Sequence, residues 1–260
     1  MSRLKTSWHS QRVGREVTVV RWGEVGTPVL FFPTAAADAE ECERFHMVST
    51  LGHLLEEGRI KLYSVDSVAG QAWLKEDNSS AVAAAVQDRF DAFVYHELVP
   101  AIRSDCRDPE AEIIATGPSI GAFNAVAAIC RHPDAFSSAI CMSGTYDLSK
   151  FLKGPVTEEY HRSSPLHFLP QLPEGAYADR LRERFILIAH GDGRWEEPSQ
   201  SWRLAEALGA QNIPNRVDAW GPAYDHDWPT WREMLPKYLD ELLSAPDAAA
   251  PGSAAAKSES

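Results

Sequence analysis

No apolar run in this chain approaches the roughly 20 residues that a membrane-spanning helix needs. The opening MSRLKTSWHSQR also lacks the hydrophobic segment of a secretory signal. Both absences point to a cytoplasmic protein. Cysteine is scarce: Cys42, Cys106, Cys130 and Cys141 are scattered and form no CxxC pair. That pattern gives neither a disulfide framework nor a thiolate metal site, and reads as reduced, mostly buried thiols. Basic charge is in deficit as well. With 25 Lys and Arg against 37 Asp and Glu, the net charge is -12, which argues against nucleic acids and anionic membranes as partners, since both need basic patches. What remains is a chain of 260 residues, 44% hydrophobic, enough to bury the core of one large α/β domain.

Apolar runs and helical periods alternate along it. EVTVVRW (16–22) reads as a strand after a hairpin-like start, and PVLFFPT (28–34) is the continuous apolar run of a buried strand. A helix is expected over 39–57, with Cys42, Phe45, Val48, Leu51 and Leu55 on one stripe and Gly58 as its stop. RIKLYSVD (59–66) is the next strand. Val82, Val86, Phe90, Val94 and Leu98 recur every four residues and predict a long helix over 80–105. EIIATG (112–117), FSSAICMSG (136–144), RFILIAHG (184–191) and NRVDAWG (215–221) complete the strands, and a last helix begins near Pro229. Such alternation implies a mostly parallel sheet with helices on both faces. Residues 145–180 interrupt it, too long for a connection, and read as a cap or lid insertion. The domain then spans 1–244, and the Ala-, Ser- and Pro-rich 245–260 reads as a disordered tail.

The most informative stretch is IIATGPSIGAFNAVAAI (113–129). It sets Ser119 between a strand and a helix, flanked by Gly117 and Gly121. This G-x-S-x-G pattern describes a nucleophile elbow, in which a strained turn projects the hydroxyl and a helix N-terminus faces the developing oxyanion. The plainer reading is an N-cap serine between turn glycines.

A serine nucleophile needs a base. Among nine histidines, His226 alone lies between the last strand and the last helix, within WGPAYDHDWPTW; a solvent-exposed loop histidine is its ordinary alternative. The acid that orients such a base follows the preceding strand, where DGRWEEP offers Asp192, Glu196 and Glu197. Asp147 is a more distant candidate. Glu196 is preferred over Asp192 because it has more chain with which to turn towards His226, although a carboxylate ahead of a helix at Pro198 also favours the helix dipole. Oxyanion donors are expected at the N–H of Ile120 and, from the loop after PVLFFPT, at about Ala35. Trp73, Tyr146, Phe151, Tyr160 and Phe168 could line an acyl pocket or simply pack a lid, while Asp66 could meet substrate or cap a loop. No metal or organic cofactor is implied.

With these residues in view, the chain resembles a bacterial esterase family of the α/β-hydrolase superfamily, related to the esterase D and mycolyltransferase-like group. The resemblance is carried by VTVVRWGEVGTPVLFFPTAAADAEECERF, GRIKLYSVDSVAGQAWL, ATGPSIGAFNAVAAICRHPDAF, MSGTYDLSKF and DAWGPAYDHDWPTWREMLP, which cover most of residues 8–243. It implies an α/β-hydrolase fold, Ser119 as nucleophile, His226 as base and Glu196 as acid, the last because WE in the acid loop looks like the family pattern. One departure is AAAD after FFPT, where glycines are common. The implied function is a serine hydrolase that cleaves a small carboxylic ester through an acyl-enzyme on Ser119. The alternatives are an acyltransferase using the same intermediate, or a non-catalytic binding protein that retains the fold.

Overall fold

Neighbouring residues of each central strand face opposite ways, and the alternation sorts the apolar side chains into two layers. A computed structural model describes residues 2–244 other than Asp77 and Lys153; the expected tail at 245–260 lies outside the described residues. Its strands are β1 (Arg3–Ser10), β2 (Arg15–Trp22), β3 (Thr27–Phe31), β4 (Ile60–Val65), β5 (Ile113–Pro118), β6 (Phe136–Met142), β7 (Phe185–His190) and β8 (Asn215–Ala219). They form one sheet in the order β1-β2-β4-β3-β5-β6-β7-β8. Only the β1–β2 and β2–β4 pairings are antiparallel; the others are parallel. This is an α/β-hydrolase fold, as the sequence led one to expect, with the hairpin-like start resolved as the edge strand β1.

Leu30, Ala115, Ala139, Cys141 and Ile188 face one layer, where α5 (Ser80–Phe93), α6 (Val99–Cys106), α7 (Ile120–Arg131) and α11 (Pro198–Ala210) supply Phe90, Ile102, Val126 and Leu204. Val29, Phe31, Ile114, Ile140 and Leu187 face the other, covered by α1 (Glu41–Arg44), α2 (Met47–Thr50), α3 (Gly52–Glu56) and α12 (Trp228–Ser244). Continuous apolar runs such as β5, buried at every position, follow from this two-sided cover.

The expected helix over 39–57 is broken into the three short turns α1 to α3. His46 sits between the first two at φ 64, a left-handed conformation that a right-handed helix cannot continue through. Cys42, Val48, Leu51 and Leu55 are buried, but Phe45 is not. The long helix over 80–105 does form, though with a wide π turn at Val94–Leu98 between α5 and α6. Pro100 follows directly and has no N–H to return to His96, which loosens that turn. Val82 is exposed: a spacing of four advances about 40° per step around a helix, so the stripe drifts off the buried face.

After β4, α4 (Val68–Leu74) packs on α5. Residues 145–180 fold as short helical pieces, among them α8 (Glu158–Ser163), α9 (Pro165–Phe168) and α10 (Ala176–Arg182), with α8 on α5 and α9 on α7 and α11.

Candidate active site

The strand-to-helix corner has the strained backbone that the elbow pattern predicts. Ser119 follows β5 with φ 57 and ψ -122, a conformation of the kind that costs about 1–3 kcal/mol and persists only where the surroundings impose it. Two glycines make it feasible. A Cβ on Gly117 would lie 2.4 Å from the Phe32 carbonyl oxygen, and one on Gly121 only 2.1 Å from the same atom. The first turn of α7 therefore rests directly on the end of β3. Ser119 is also tied to β6: its N–H donates to Met142 O at 3.0 Å, and its carbonyl accepts from the Thr145 N–H at 3.2 Å. The serine is half-buried.

The loop after β3 is held as firmly. Glu41 is buried and accepts from the Thr34 N–H at 2.8 Å and from the Thr34 hydroxyl at 2.5 Å. Burial raises its carboxyl above the ordinary range despite those two hydrogen bonds. Asp66 accepts from the N–H groups of Ala39 and Thr18 at 3.1 and 2.8 Å, so it ties the loop after β3 to strand β2. Gly70 of α4 packs so close to Ala35 that a Cβ would meet its Cα at 2.8 Å. Ala35 and Ile120 share one apolar cluster with Trp73, Leu148 and Tyr160.

Of the carboxylates considered, Glu196 is the one placed against His226. Its side chain is 2% exposed, and Oε2 lies 3.8 Å from Nδ1 of His226, which is 22% exposed. Asp192 instead lies 3.5 Å from Nδ1 of His190 and is exposed. Glu197 precedes α11 and pairs on the surface with Lys150. Asp147 accepts from the Ser149 N–H and pairs with Arg203; burial acts to raise its pKa, but these partners prevail and hold it at about 2.

The loops carrying Glu196 and His226 interlock. The His226 N–H donates to Arg194 O at 3.0 Å, and the Arg194 guanidinium grips Asp225. A Cβ on Gly191 would sit 1.9 Å from Tyr224 O, and one on Gly193 2.4 Å from Asp225 Oδ1. Sequence reasoning missed these close approaches, although the glycines of HGDG were their visible signal. It also missed Ser143, the first residue after β6, whose hydroxyl donates to Glu196 Oε1 at 2.5 Å and accepts from the Trp231 indole N–H at 2.9 Å. A series of direct contacts thus runs from the Ser119 backbone through residues 142–145 to Glu196 and His226.

The aromatic candidates for an acyl pocket are largely packed away. Tyr146 and Tyr160 are fully buried, and Trp73 stands edge-on to Tyr160 while donating to Gln87 at 3.2 Å. Among the described residues, no three His, Cys, Asp or Glu side chains gather as a metal-binding group, and no helix is long and apolar enough to cross a membrane.

Residues 64–242 match the family model described as "Putative esterase". The chain belongs to this family. The esterase accordingly pairs an α/β-hydrolase fold with a small-molecule ester as substrate. Among solved structures, it is similar to an S-formylglutathione hydrolase from Agrobacterium tumefaciens, with a TM-score of 0.71, 15% identity, and coverage of 93% of this chain and 94% of that one. A ferulic acid esterase superposes with a TM-score of 0.69 at 16% identity, covering 93% and 98% of the two chains. Mycobacterium tuberculosis MPT51 (FbpC1) gives 0.66 at 16%, covering 94% and 99%. At these identities the likeness is one of fold. Among curated proteins, nothing matches the chain.

Proposed function

We propose that the esterase cleaves carboxylic esters through an acyl-enzyme on Ser119, with His226 as general base and Glu196 as the acid that orients it. The observation that carries this reading is the pairing of Nδ1 of His226 with a buried carboxylate, on loops tied to the elbow. With Nδ1 facing Glu196, Nε2 is the nitrogen left to serve Ser119. The 3.8 Å separation exceeds a hydrogen bond, and such contacts commonly tighten when substrate binds.

In the first step the Ser119 oxygen attacks the ester carbonyl and its proton passes to Nε2 of His226. The oxyanion is met by the N–H groups of Ile120 and Ala35, neither of which has a hydrogen-bond acceptor among the described residues. Collapse expels the alcohol, which takes the proton from His226. Water then repeats the sequence on the acyl-enzyme and frees the acid. Residues 145–180 act as a cap in this reading, because Tyr160 and Leu148 close over Ile120 and Trp73.

Intact-mass labelling with a fluorophosphonate tests the assignment. One adduct on the wild type and none on Ser119→Ala is expected, together with aryl-ester turnover lost in the variant. Absence of an adduct on folded wild type, or an adduct that persists in Ser119→Ala, refutes it. Product analysis with a competing alcohol separates hydrolysis, which we expect, from acyl transfer.

A further inference from the structure

The buried polar group beside the acid has a direction that chemistry fixes. An indole N–H can only donate, so in the Trp231–Ser143 contact the Ser143 oxygen is the acceptor. An ionised carboxylate can only accept, so the single proton of the Ser143 hydroxyl goes to Glu196 Oε1. Trp231, Ser143 and Glu196 therefore form a one-way series of hydrogen bonds that ends on the acid. Oε2 of the same carboxylate is the oxygen that faces His226. Among the described residues, Ser143 makes the only hydrogen bond to the Glu196 carboxylate.

Packing alone does not explain a serine here. Ser143 is 3% exposed and has φ 47, a left-handed conformation unfavourable for a residue with a Cβ. It is held there by its N–H, which donates to Ala189 O at 2.7 Å. The same indole that fixes the hydroxyl also abuts the base: the Trp231 and His226 rings are 5.3 Å apart and nearly perpendicular, at 81°. One tryptophan, on the helix that follows His226, thus touches His226 directly and Glu196 through the Ser143 hydroxyl.

We infer that Ser143 is a positioning residue, whose hydroxyl, itself aimed by Trp231, locks the Glu196 carboxylate so that Oε2 is presented to His226. The inference rests on the reading of Glu196 as the acid. Without the hydroxyl, a buried carboxylate loses a charge-assisted hydrogen bond and is free to turn away from the imidazole.

The test is a double-mutant cycle on aryl-ester hydrolysis, with Ser143→Ala, Glu196→Gln and the double variant, each checked for folding by thermal melting. Ser143→Ala is expected to lower kcat on the order of 10- to 100-fold with KM within about twofold. The double variant is expected to match Glu196→Gln alone, because the hydroxyl acts only through the carboxylate. Losses that multiply in the double variant, or a Ser143→Ala enzyme within about twofold of wild type, overturn the inference while leaving Glu196 as the acid. A Glu196→Gln enzyme of normal activity overturns the acid assignment itself, and the inference with it. Should Ser143→Ala fail to fold, Ser143→Cys keeps the volume with a weaker donor. An intermediate kcat at unchanged KM then supports the inference, and wild-type kcat overturns it.

Discussion

Replacing Gly121 with alanine tests whether the elbow and the proposed oxyanion donors are one mechanical unit. The added Cβ would lie 2.1 Å from the Phe32 carbonyl oxygen and 2.9 Å from that of Pro33. Relief to the 3.0 Å limit of real Cβ contacts requires a displacement of about 0.9 Å. Both sides of the contact are backbone, so no side-chain tip can yield. Either the first turn of α7, which carries the Ile120 N–H, moves out, or the end of β3, which leads to Ala35, moves back. Overpacking of this kind costs about 1–3 kcal/mol, equivalent to several degrees in Tm for a domain of this size. A misplacement near 1 Å among groups that must converge on one oxygen lowers kcat by about 100-fold or more. Gly209→Ala is the control: that glycine is exposed, lies in α11 and has open space around its would-be Cβ, so alanine there should stabilise by about 0.5–1 kcal/mol at unchanged turnover. Thermal melts and aryl-ester kinetics on the same preparations report both effects. A Gly121→Ala enzyme that loses stability but keeps wild-type kcat would refute the idea that the two donors are set by this contact.

Glu196→Gln is expected to lower kcat by about 100-fold to 10,000-fold with little change in Tm, while Asp192→Asn, whose carboxylate faces His190, stays within about threefold; the reverse ranking in steady-state kinetics would transfer the role to Asp192. Asp147 is held at about 2 by Ser149 and Arg203 against the effect of burial. A depressed carboxylate stabilises the fold fully above its unfolded pKa and loses that contribution as pH falls towards the folded value. Asp147→Asn should therefore weaken the protein in urea melts at pH 5 to 7, with the difference shrinking from about pH 4 downward and turnover unaffected; equal melts at pH 7 would contradict it. Burial raises the thiols of Cys42 and Cys141 to about 12 and drives Cys130 up as well, whereas Cys106 is half-buried. A thiol reagent should titrate Cys106 first in the native protein and the other three only on unfolding; prompt reaction of all four would disprove the burial pattern.

The fold was legible where burial imposes a simple rule on sequence. Strands covered on both faces are mostly apolar, which made β3, β5 and β7 legible, while β4 and β6 stood out as apolar runs despite Lys61, Ser64, Ser137 and Ser138. Their alternation with helices then dictated a mostly parallel sheet. The reading failed where local chain geometry overrode the apolar period. His46 breaks an otherwise helical stripe by adopting a left-handed backbone, and Val82 lies outside the buried face because four is not the helical repeat. β1 carries no such signature, since it is an edge strand with mostly exposed side chains. The aromatics near 145–180 left two readings open because a packed lid and an acyl pocket select the same side chains; burial of Tyr146 and Tyr160 goes with packing.

Residue type and chain order pointed to Ser119, His226 and Glu196, yet neither says what holds them relative to one another. That information lies in close approaches between segments far apart in sequence. Gly121 presses on the end of β3, Gly191 and Gly193 on the 224–225 backbone and side chain, and Ser143 reaches from the end of β6 to the acid loop. Each is a small residue whose requirement comes from a neighbour that only the tertiary structure supplies. The Glu196 and His226 loops are fastened to each other, through Arg194 with Asp225 and through the His226 N–H with Arg194 O, as well as to the strands that precede them. A change in either loop is thereby transmitted to its partner, and the distance between Glu196 and His226 is a property of the interlocked pair rather than of either strand end.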